Sequence, residues 1–579
     1  MTVVDVPSPP PGRLGFARRE DVDLFVQRLE AFERGELSSD DWRSFRLLNG
    51  VYGQRQDGFM MIRAKLPGGF VTPPQIEALA DVAERFGGGK GHITTRQNVQ
   101  YHFVRMADCE TALSRLAEAG ITTKEACGHS VRNWTCCPFA GVAADEPFDP
   151  SPYVEALARH LLRGPYSSSL PRKLKPSLGG CCGTDCSQAF INDLGFLARK
   201  RGDEIGFQVL AGGGLSTLRR SAITVEEFVP VAEIFEAADA VVRVFHRIGN
   251  RHNKAKARLK WAIDKIGVDA FLAEYRAERD KIRAEGGVPL VLPPQPVPPQ
   301  RRAPLAQVNE PEPGYVEWAT DSVRPQKQHG FSAVVIRLVL GDITVAQLRA
   351  LATLCVQFGE GEIRTTNEQN LVLRWVPNAK LAALHRELTA IGLAHAGADT
   401  LADVTSCPGA SSCKLAVTAS RGLAAELTTL IDDLARRRPE LVAAARDVDV
   451  KVSGCPHGCG QHYIAGIGFQ GGMRKVDGRP VPQYLVYVGG GIGHDRAEFG
   501  RLVTKVPARR AAGALERLLD LYVSEGGGGP AFWAGVKIDR LRQVIGDLAE
   551  LPTPIEADFI DLGETRAFEV ISGEGECAS

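Results

Sequence analysis

The 579-residue chain has no excess charge of either sign: 69 lysines and arginines stand against 69 aspartates and glutamates. That balance excludes the one-sided electrostatic pull with which proteins find nucleic acid or a membrane surface. No run approaches the roughly 20 consecutive apolar residues of a membrane span. Residues 1–13 are proline-rich and lack the apolar stretch of a secretory signal. The expectation is a soluble, cytoplasmic protein with neither nucleic acid nor membrane as partner. The glycine-rich turns at 212–215 and 489–493 do not have the G-x-G-x-x-G spacing after a strand, with an acidic partner beyond, that cradles a dinucleotide.

Cysteine is what the chain does have, 13 in all. In a reducing compartment that number argues against a disulfide framework and for thiolate chemistry. Cys407 and Cys413 lie in C-P-G-A-S-S-C, and Cys455 and Cys459 in C-P-H-G-C; the 41 residues between the pairs read mostly as helix and strand. Four thiolates gathered from two such turns can hold a cubane iron–sulfur cluster. Zinc is the alternative, although its ligand pairs usually have two to four intervening residues and the gaps here are five and three. The proline after Cys407 and after Cys455 keeps each loop from closing into a helix. Gly454, Gly458 and Gly460 are expected to let the main chain approach a bulky cofactor. A helix is predicted from about residue 412 to 435, with its free N–H groups near the electron-rich centre.

The chain also repeats itself. Phe59, Gly69, Thr72, Gln75, Ala78, Leu79, Ala80, Phe86, Gly87 and Gly89 each recur 272 positions later. A period this long indicates two copies of a domain-sized unit rather than a solenoid. Each copy reads strand, turn, helix, strand. Pro73-Pro74 open the first helix, where missing N–H groups do no harm. Its buried stripe is Ile76, Leu79, Ala80, Ala83 and Phe86, and that of the second is Leu348, Leu351, Ala352, Cys355 and Phe358, which makes Cys355 a core residue. Further on, Asn133-Trp-Thr-Cys-Cys-Pro138 echoes Val404-Thr-Ser-Cys-Pro408, and the segment 180–196 echoes 454–469. Residues 288–304 carry seven prolines and read as an extended connector. The fold class is α+β, internally duplicated about a pseudo-twofold axis, an arrangement able to hold a cofactor between its halves.

C-x5-C followed by C-x3-C, the latter within S-G-C-P-H-G-C-G, resembles the sirohaem-containing sulfite and nitrite reductases, from about residue 20 to residue 550. Three short segments match as well: Ile93-Thr-Thr-Arg96-Gln-Asn98, Val131-Arg132-Asn133 and Pro171-Arg-Lys173-Leu-Lys175. The resemblance implies two ferredoxin-like repeats, at 20–110 and 326–395. It implies a sirohaem and substrate-binding α/β domain at 120–286, a proline-rich linker at 287–325, an iron–sulfur/sirohaem domain at 400–560 and a mobile tail at 561–579. It implies that Cys407, Cys413, Cys455 and Cys459 ligate one [4Fe–4S] cluster, and that Cys459 also ligates the sirohaem iron. It implies a catalytic cage of Arg96, Arg132, Lys173 and Lys175. Sirohaem contacts are expected from Arg96, Asn133, Arg251, Asn253 and Lys256.

The chemistry asks for these residue types. Reducing sulfite takes six electrons and several protons at a bound anion. Arginine supplies a permanent charge with a planar donor fork, and a tuned lysine can give up a proton. Each cation alone reads as a solvated surface group; four at matching motif positions do not. Lys175 favours sulfite, since nitrite reductases of the family often have asparagine there. The expected activity is assimilatory sulfite reduction. The alternatives are nitrite reduction with the same cofactors, and a non-catalytic iron–sulfur or zinc scaffold. The electron donor is expected to be a ferredoxin or a separate flavoprotein, and the chain a monomer. Copy two reads Arg364-Thr-Thr-Asn367 against Ile93-Thr-Thr-Arg96, which sets Asn367 opposite Arg96 and assigns the anion chemistry to copy one. Cys136, Cys137, Cys181, Cys182 and Cys186 are either remnants of the duplication or a second metal centre. The roles of Cys127 and Cys577 stay open. The basic stretch 243–260 is either a solvated helix face or a contact surface for cofactor carboxylates or an acidic carrier.

Overall fold

The computed structural model describes residues 15–180, 185–294, 312–571 and 576. Cys181, Cys182, Cys577 and most of the proline-rich connector lie outside the described residues. The chain forms two compact units. The first comprises everything up to Gly214, then Arg220–Leu338 and Asp342–His395; the second comprises Leu215–Arg219, Val339–Gly341 and the chain from Ala396 onward. No helix among the described residues is long and apolar enough to cross a membrane.

Within the first unit the 272-residue repeat is two ferredoxin-like halves that share one core. The predicted helices run Pro73–Arg85 and Val345–Phe358. Both begin on the same device: the N–H of Thr72 donates to Gln75 Oε1 and that of Thr344 to Gln347 Oε1, each at 3.0 Å, so the first turn's orphan donors find a side chain. Cys355 is fully buried in the shared core, as its place in the stripe requires.

Each half lends a strand to the other's sheet. Phe70–Val71 pairs with Ile363–Thr365 of copy two, and Asp342–Thr344 pairs with Lys90–Ile93 of copy one. A glutamine on either side locks the exchange. Gln97 Nε2 donates to Thr365 O at 2.7 Å, and Gln369 Nε2 donates to Ile93 O at 3.0 Å. Both glutamines sit in the left-handed region, with φ of 56° and 67°.

These bonds also fix the alignment of the copies, and it differs from the expected one. The N–H of Arg96 bonds Thr94 Oγ1 and that of Glu368 bonds Thr366 Oγ1, both at 3.2 Å. Asn98 Oδ1 accepts from Leu66 N and Asn370 Oδ1 from Leu338 N, at 3.4 and 2.9 Å. The partner of Arg96 is therefore Glu368, not Asn367. The shared Thr-Thr pair is offset by one residue between the copies. The duplication reverses the charge at this position.

The rest of the first unit carries a further five-stranded sheet, and the second unit carries one of the same topology. In the first unit, Thr135–Cys136, Pro176–Gly179 and Leu194–Arg201 run parallel, and Glu204–Ala211 and Ile223–Pro230 follow antiparallel. In the second unit, Thr405–Ser406, Val450–Ser453 and Ile467–Val476 run parallel, with Arg479–Val488 and Arg501–Pro507 following antiparallel. Each sheet is covered by its own helices and builds its own core. The fold is α+β and internally duplicated.

Candidate functional site

Cations crowd one region of the first unit. Arg96 leaves the turn after strand Lys90–Ile93, and its guanidinium is held by three acceptors. Nη1 donates to Asn192 Oδ1 at 2.7 Å, and Nη2 donates to Asn133 O at 2.6 Å and Pro176 O at 2.9 Å. A guanidinium has five N–H donors. Three are spent on the protein, and Nε is buried without a partner. Asn133 braces the same turn: its Nδ2 donates to Arg96 O at 3.1 Å and Leu66 O at 2.8 Å, and its buried Oδ1 has no donor.

Arg132 clasps the preceding loop. Its Nη1 donates to Ala126 O at 3.0 Å and its Nη2 to Gly128 O at 2.8 Å. Lys175 is pinned through its backbone, with its N–H on Asp193 Oδ2 at 2.8 Å and its carbonyl accepting from Asp193 N at 2.9 Å. Asp193 is fully buried and takes a bidentate bond from Arg258, at 2.9 and 2.6 Å. Lys173 and Lys175 themselves are half-buried.

Arg63, Lys65, Arg258 and Lys260 join this group and were not singled out from the sequence. Lys65 is 4% exposed and donates to Val131 O at 3.2 Å. Burial pulls its ammonium down to about 8, Glu125 opposes, and Arg132, Arg163 and Arg96 add to the fall. Lys260, 1% exposed, is pulled down to about 7 by burial, with Arg258 and Lys173 pushing the same way against Asp193. Burial likewise lowers the Arg96 guanidinium; Asp193 opposes, and Arg132, Arg258 and Arg63 push with it. Cations sensing one another this strongly, with Glu125 and Asp193 as the opposing carboxylates, form a field that an anion would relieve.

The four cysteines of the second unit stand at the carboxyl ends of its parallel strands. Cys407 follows Thr405–Ser406, and Cys455 follows Val450–Ser453 by two residues, the end at which open sheets bind ligands. Cys407 and Cys455 are buried, Cys413 is half-buried and Cys459 is exposed. Burial pushes the Cys407 and Cys455 thiols up. Cys459 adds to both, and Cys407 and Cys413 add to Cys455, so Cys455 senses the other three. Cys407 Sγ lies 3.3 Å from the N–H of Gly454 and 3.3 Å from Ser420 Oγ. No three of the thiols close on a single-ion position, as holds for His, Cys, Asp and Glu throughout the described residues. An all-sulfur donor set of four fits a cluster that takes one thiolate at each iron.

One expectation about these loops changes. The helix runs Ser420–Arg437 rather than from about 412. The N–H groups of Val417 and Thr418 are committed to Gly454 O, at 2.8 and 3.2 Å, which ties the first cysteine loop to the second and delays the helix. Gly454 and Gly460 are also required by the protein's own backbone. A Cβ on Gly454 would sit 2.6 Å from Thr418 O, and one on Gly460 would collide with Val452 O.

The remaining candidates are dispersed. Arg251, Asn253 and Lys256 lie on an exposed loop of the first unit. There Arg251 donates to Ser169 O at 3.0 Å, Asn253 Oδ1 accepts from Ala255 N at 3.1 Å, and Lys256 stands 5.5 Å from the Trp261 ring centroid. Arg243 and Arg247, on helix Ile234–Ile248, pair with Glu278, Glu285 and Glu274, so the helical part of the basic stretch is a solvated, neutralised face. Cys136 and Cys137 are fully buried. The Cys127 thiol is 3.4 Å from Arg63 Nη1.

The chain is similar to known proteins. The family model described as "Nitrite and sulphite reductase 4Fe-4S domain" matches residues 127–282 and 397–547. The model described as "Nitrite/Sulfite reductase ferredoxin-like half domain" matches residues 52–119 and 324–391. The chain is similar to a chloroplastic ferredoxin–nitrite reductase of Oryza sativa subsp. japonica, 31% identical over 502 residues, 85% of this chain and 79% of that one. It is similar to a sulfite reductase (ferredoxin) of Mycobacterium tuberculosis, 30% identical over 509 residues, 83% of this chain and 86% of that one. Among solved structures, that of the Mycobacterium tuberculosis NirA protein covers 90% of this chain and 95% of its own, with a TM-score of 0.76 at 28% identity.

Proposed function

The chain belongs to the nitrite and sulphite reductase family, and within it we propose that the reaction is the six-electron reduction of sulfite: HSO3⁻ + 6 e⁻ + 6 H⁺ → HS⁻ + 3 H2O. The observation that carries this reading is the excess of buried and half-buried cations around Arg96. Glu125 and Asp193 oppose that charge from within the protein, and a bound anion would lower the cost of holding it out of water further. Sulfite, or the carboxylates of a tetrapyrrole, supplies one.

When bound, a [4Fe–4S] cluster and sirohaem supply electrons and an iron to which the anion attaches. The chain's residues do the rest. Cys407, Cys413, Cys455 and Cys459 would hold the cluster, and Cys459 would also serve the sirohaem. Arg96 is held rigid by Asn192, Asn133 and Pro176 and offers its remaining N–H groups to the oxyanion. Arg132 adds a fixed charge. Lys173 and Lys175 deliver the protons with which oxygen departs as water. Asn133 positions Arg96. Arg251, Asn253 and Lys256 are exposed and suited to propionate or acetate side chains. The electron donor is a ferredoxin or a separate flavoprotein, since the chain carries no dinucleotide motif.

Lys175 is the reason for preferring sulfite to nitrite. Purified holoenzyme supplied with a reduced dye should turn over sulfite with a higher kcat/KM than nitrite, and Lys175→Asn should move that ratio towards nitrite by about tenfold, the scale of one altered contact. A wild-type preference for nitrite that Lys175→Asn leaves unchanged would reassign the substrate.

A further inference from the structure

The second unit borrows five residues from far upstream. Leu215–Arg219 leaves the first unit between strands Glu204–Ala211 and Ile223–Pro230 and belongs to the second. The segment lies along the Cys455–Cys459 loop. Leu215 Cβ is 3.4 Å from where a Cβ on Gly458 would stand. Ser216 Oγ lies 3.4 Å from His457 Nδ1. Arg219 sets its guanidinium carbon 4.7 Å from the ring centroid of Tyr463 and 5.8 Å from that of Tyr487.

Those two rings are part of the same loop's support. The Tyr463 hydroxyl donates to Gln470 Oε1 at 2.8 Å and approaches Pro456 O at 3.3 Å, and the Tyr487 hydroxyl donates to the same Gln470 oxygen at 3.2 Å. The rings meet edge to face, with centroids 5.2 Å apart. Tyr463 senses Cys455 on one side and Arg219 on the other. Arg219 is exposed, and among the described residues no carboxylate pairs with it. Its charge is therefore carried, uncompensated, to the edge of the cysteine loop by two aromatic faces that favour a cation.

We propose that Arg219 is a positioning residue for electron storage: a fixed positive charge beside the Cys455–Cys459 loop that favours the more negative, reduced state of the cluster held there and so raises its reduction potential. The inference rests on the reading that these cysteines hold a [4Fe–4S] cluster. Reduction adds one electron, [4Fe–4S]²⁺ + e⁻ → [4Fe–4S]⁺, from an external one-electron donor, and net charge near a cluster is one of the terms that set its potential.

The test is a dye-mediated redox titration of the holoenzyme, followed by the electron paramagnetic resonance of the reduced cluster. Arg219→Gln and Arg219→Met should lower the midpoint alike. The expected loss is about threefold in the equilibrium constant for reduction, about 28 mV at ~59 mV per tenfold for one electron. Arg219→Lys should match the wild type at pH 7.5. It should then fall below it on titration towards pH 10.8, as an exposed lysine loses its proton near its ordinary value of about 10.4. This last comparison decides the matter even if the neutral variants lose their cluster. A common shift in all three variants at pH 7.5, or no shift in any, overturns the role of the charge. A wild type with no reducible cluster signal overturns instead the reading on which it rests.

Discussion

Exchange of Cys459 for serine is expected to lower sulfite turnover by more than about a hundredfold, beyond the 10–100-fold that loss of an outer-shell partner costs. The sirohaem absorbance should go with it, because the same sulfur is proposed to serve both centres. Folding should be spared. The loop around Cys459 is closed by bonds that do not involve its thiol: Gly460 N to Ser453 Oγ at 3.0 Å, Gln461 N to Gly458 O at 3.0 Å and Gly458 N to Cys455 O at 3.4 Å. Cys459 is also the exposed member of the four, so an oxygen in place of sulfur creates no buried mismatch. Thermal unfolding of the apoprotein should therefore be unchanged, and the deficit should appear in absorbance and turnover alone. Cys186, 273 residues upstream in the duplicated half, serves as the control; Cys186→Ser should retain both cofactors. A Cys459→Ser protein purified under argon with both prosthetic groups and full activity would refute the shared-ligand assignment.

Arg96→Ala is expected to cost about a hundredfold to a thousandfold in kcat, the usual loss when one preorganised donor to a developing charge is removed. The cofactor spectrum should be nearly intact. The three acceptors that grip its guanidinium hold the remaining donors in place before the anion arrives, which is what makes such a donor effective. Arg96→Lys should recover little, because a compact ammonium cannot reach Asn192, Asn133 and Pro176 together while facing the substrate. Removing the side chain also leaves those acceptors unsatisfied, at a cost of about 1–3 kcal/mol for a buried group, so a modest drop in thermal stability should accompany the kinetic loss. Comparison of kcat with the sirohaem absorbance per chain separates the two effects. Loss of the tetrapyrrole itself from Arg96→Ala would move Arg96 from substrate to cofactor binding.

Parts of this arrangement are written locally and can be read from the sequence. The helix stripes, the capping glutamines and the proline opening of Pro73–Arg85 depend on neighbours within a turn or two. The exchange of Phe70–Val71 and Asp342–Thr344 does not, because a two- or three-residue strand has no periodicity and its partner lies 250 to 294 positions away. The start of helix Ser420–Arg437 was misjudged for the same kind of reason: Val417 and Thr418 have helix-compatible surroundings, but Gly454 O claims their N–H groups. Among the cations, Arg96, Arg132, Lys173 and Lys175 sit in short motifs. Arg63 and Lys65 were passed over, although they alternate with apolar residues at the end of strand Phe59–Ala64 and so face one side together. Arg258 and Lys260 were submerged in a stretch whose exposed members looked more accessible. Asp193, which anchors both Arg258 and Lys175, stood out neither by spacing nor by company.

The most direct measurement is a count of iron, acid-labile sulfide and extracted sirohaem in protein purified anaerobically. One cluster and one tetrapyrrole predict about five iron atoms, about four sulfides and one sirohaem per chain. Zinc in place of iron, or about four iron atoms with no tetrapyrrole, would contradict the assignment of Cys459 as the atom that joins electron storage to the reacting anion.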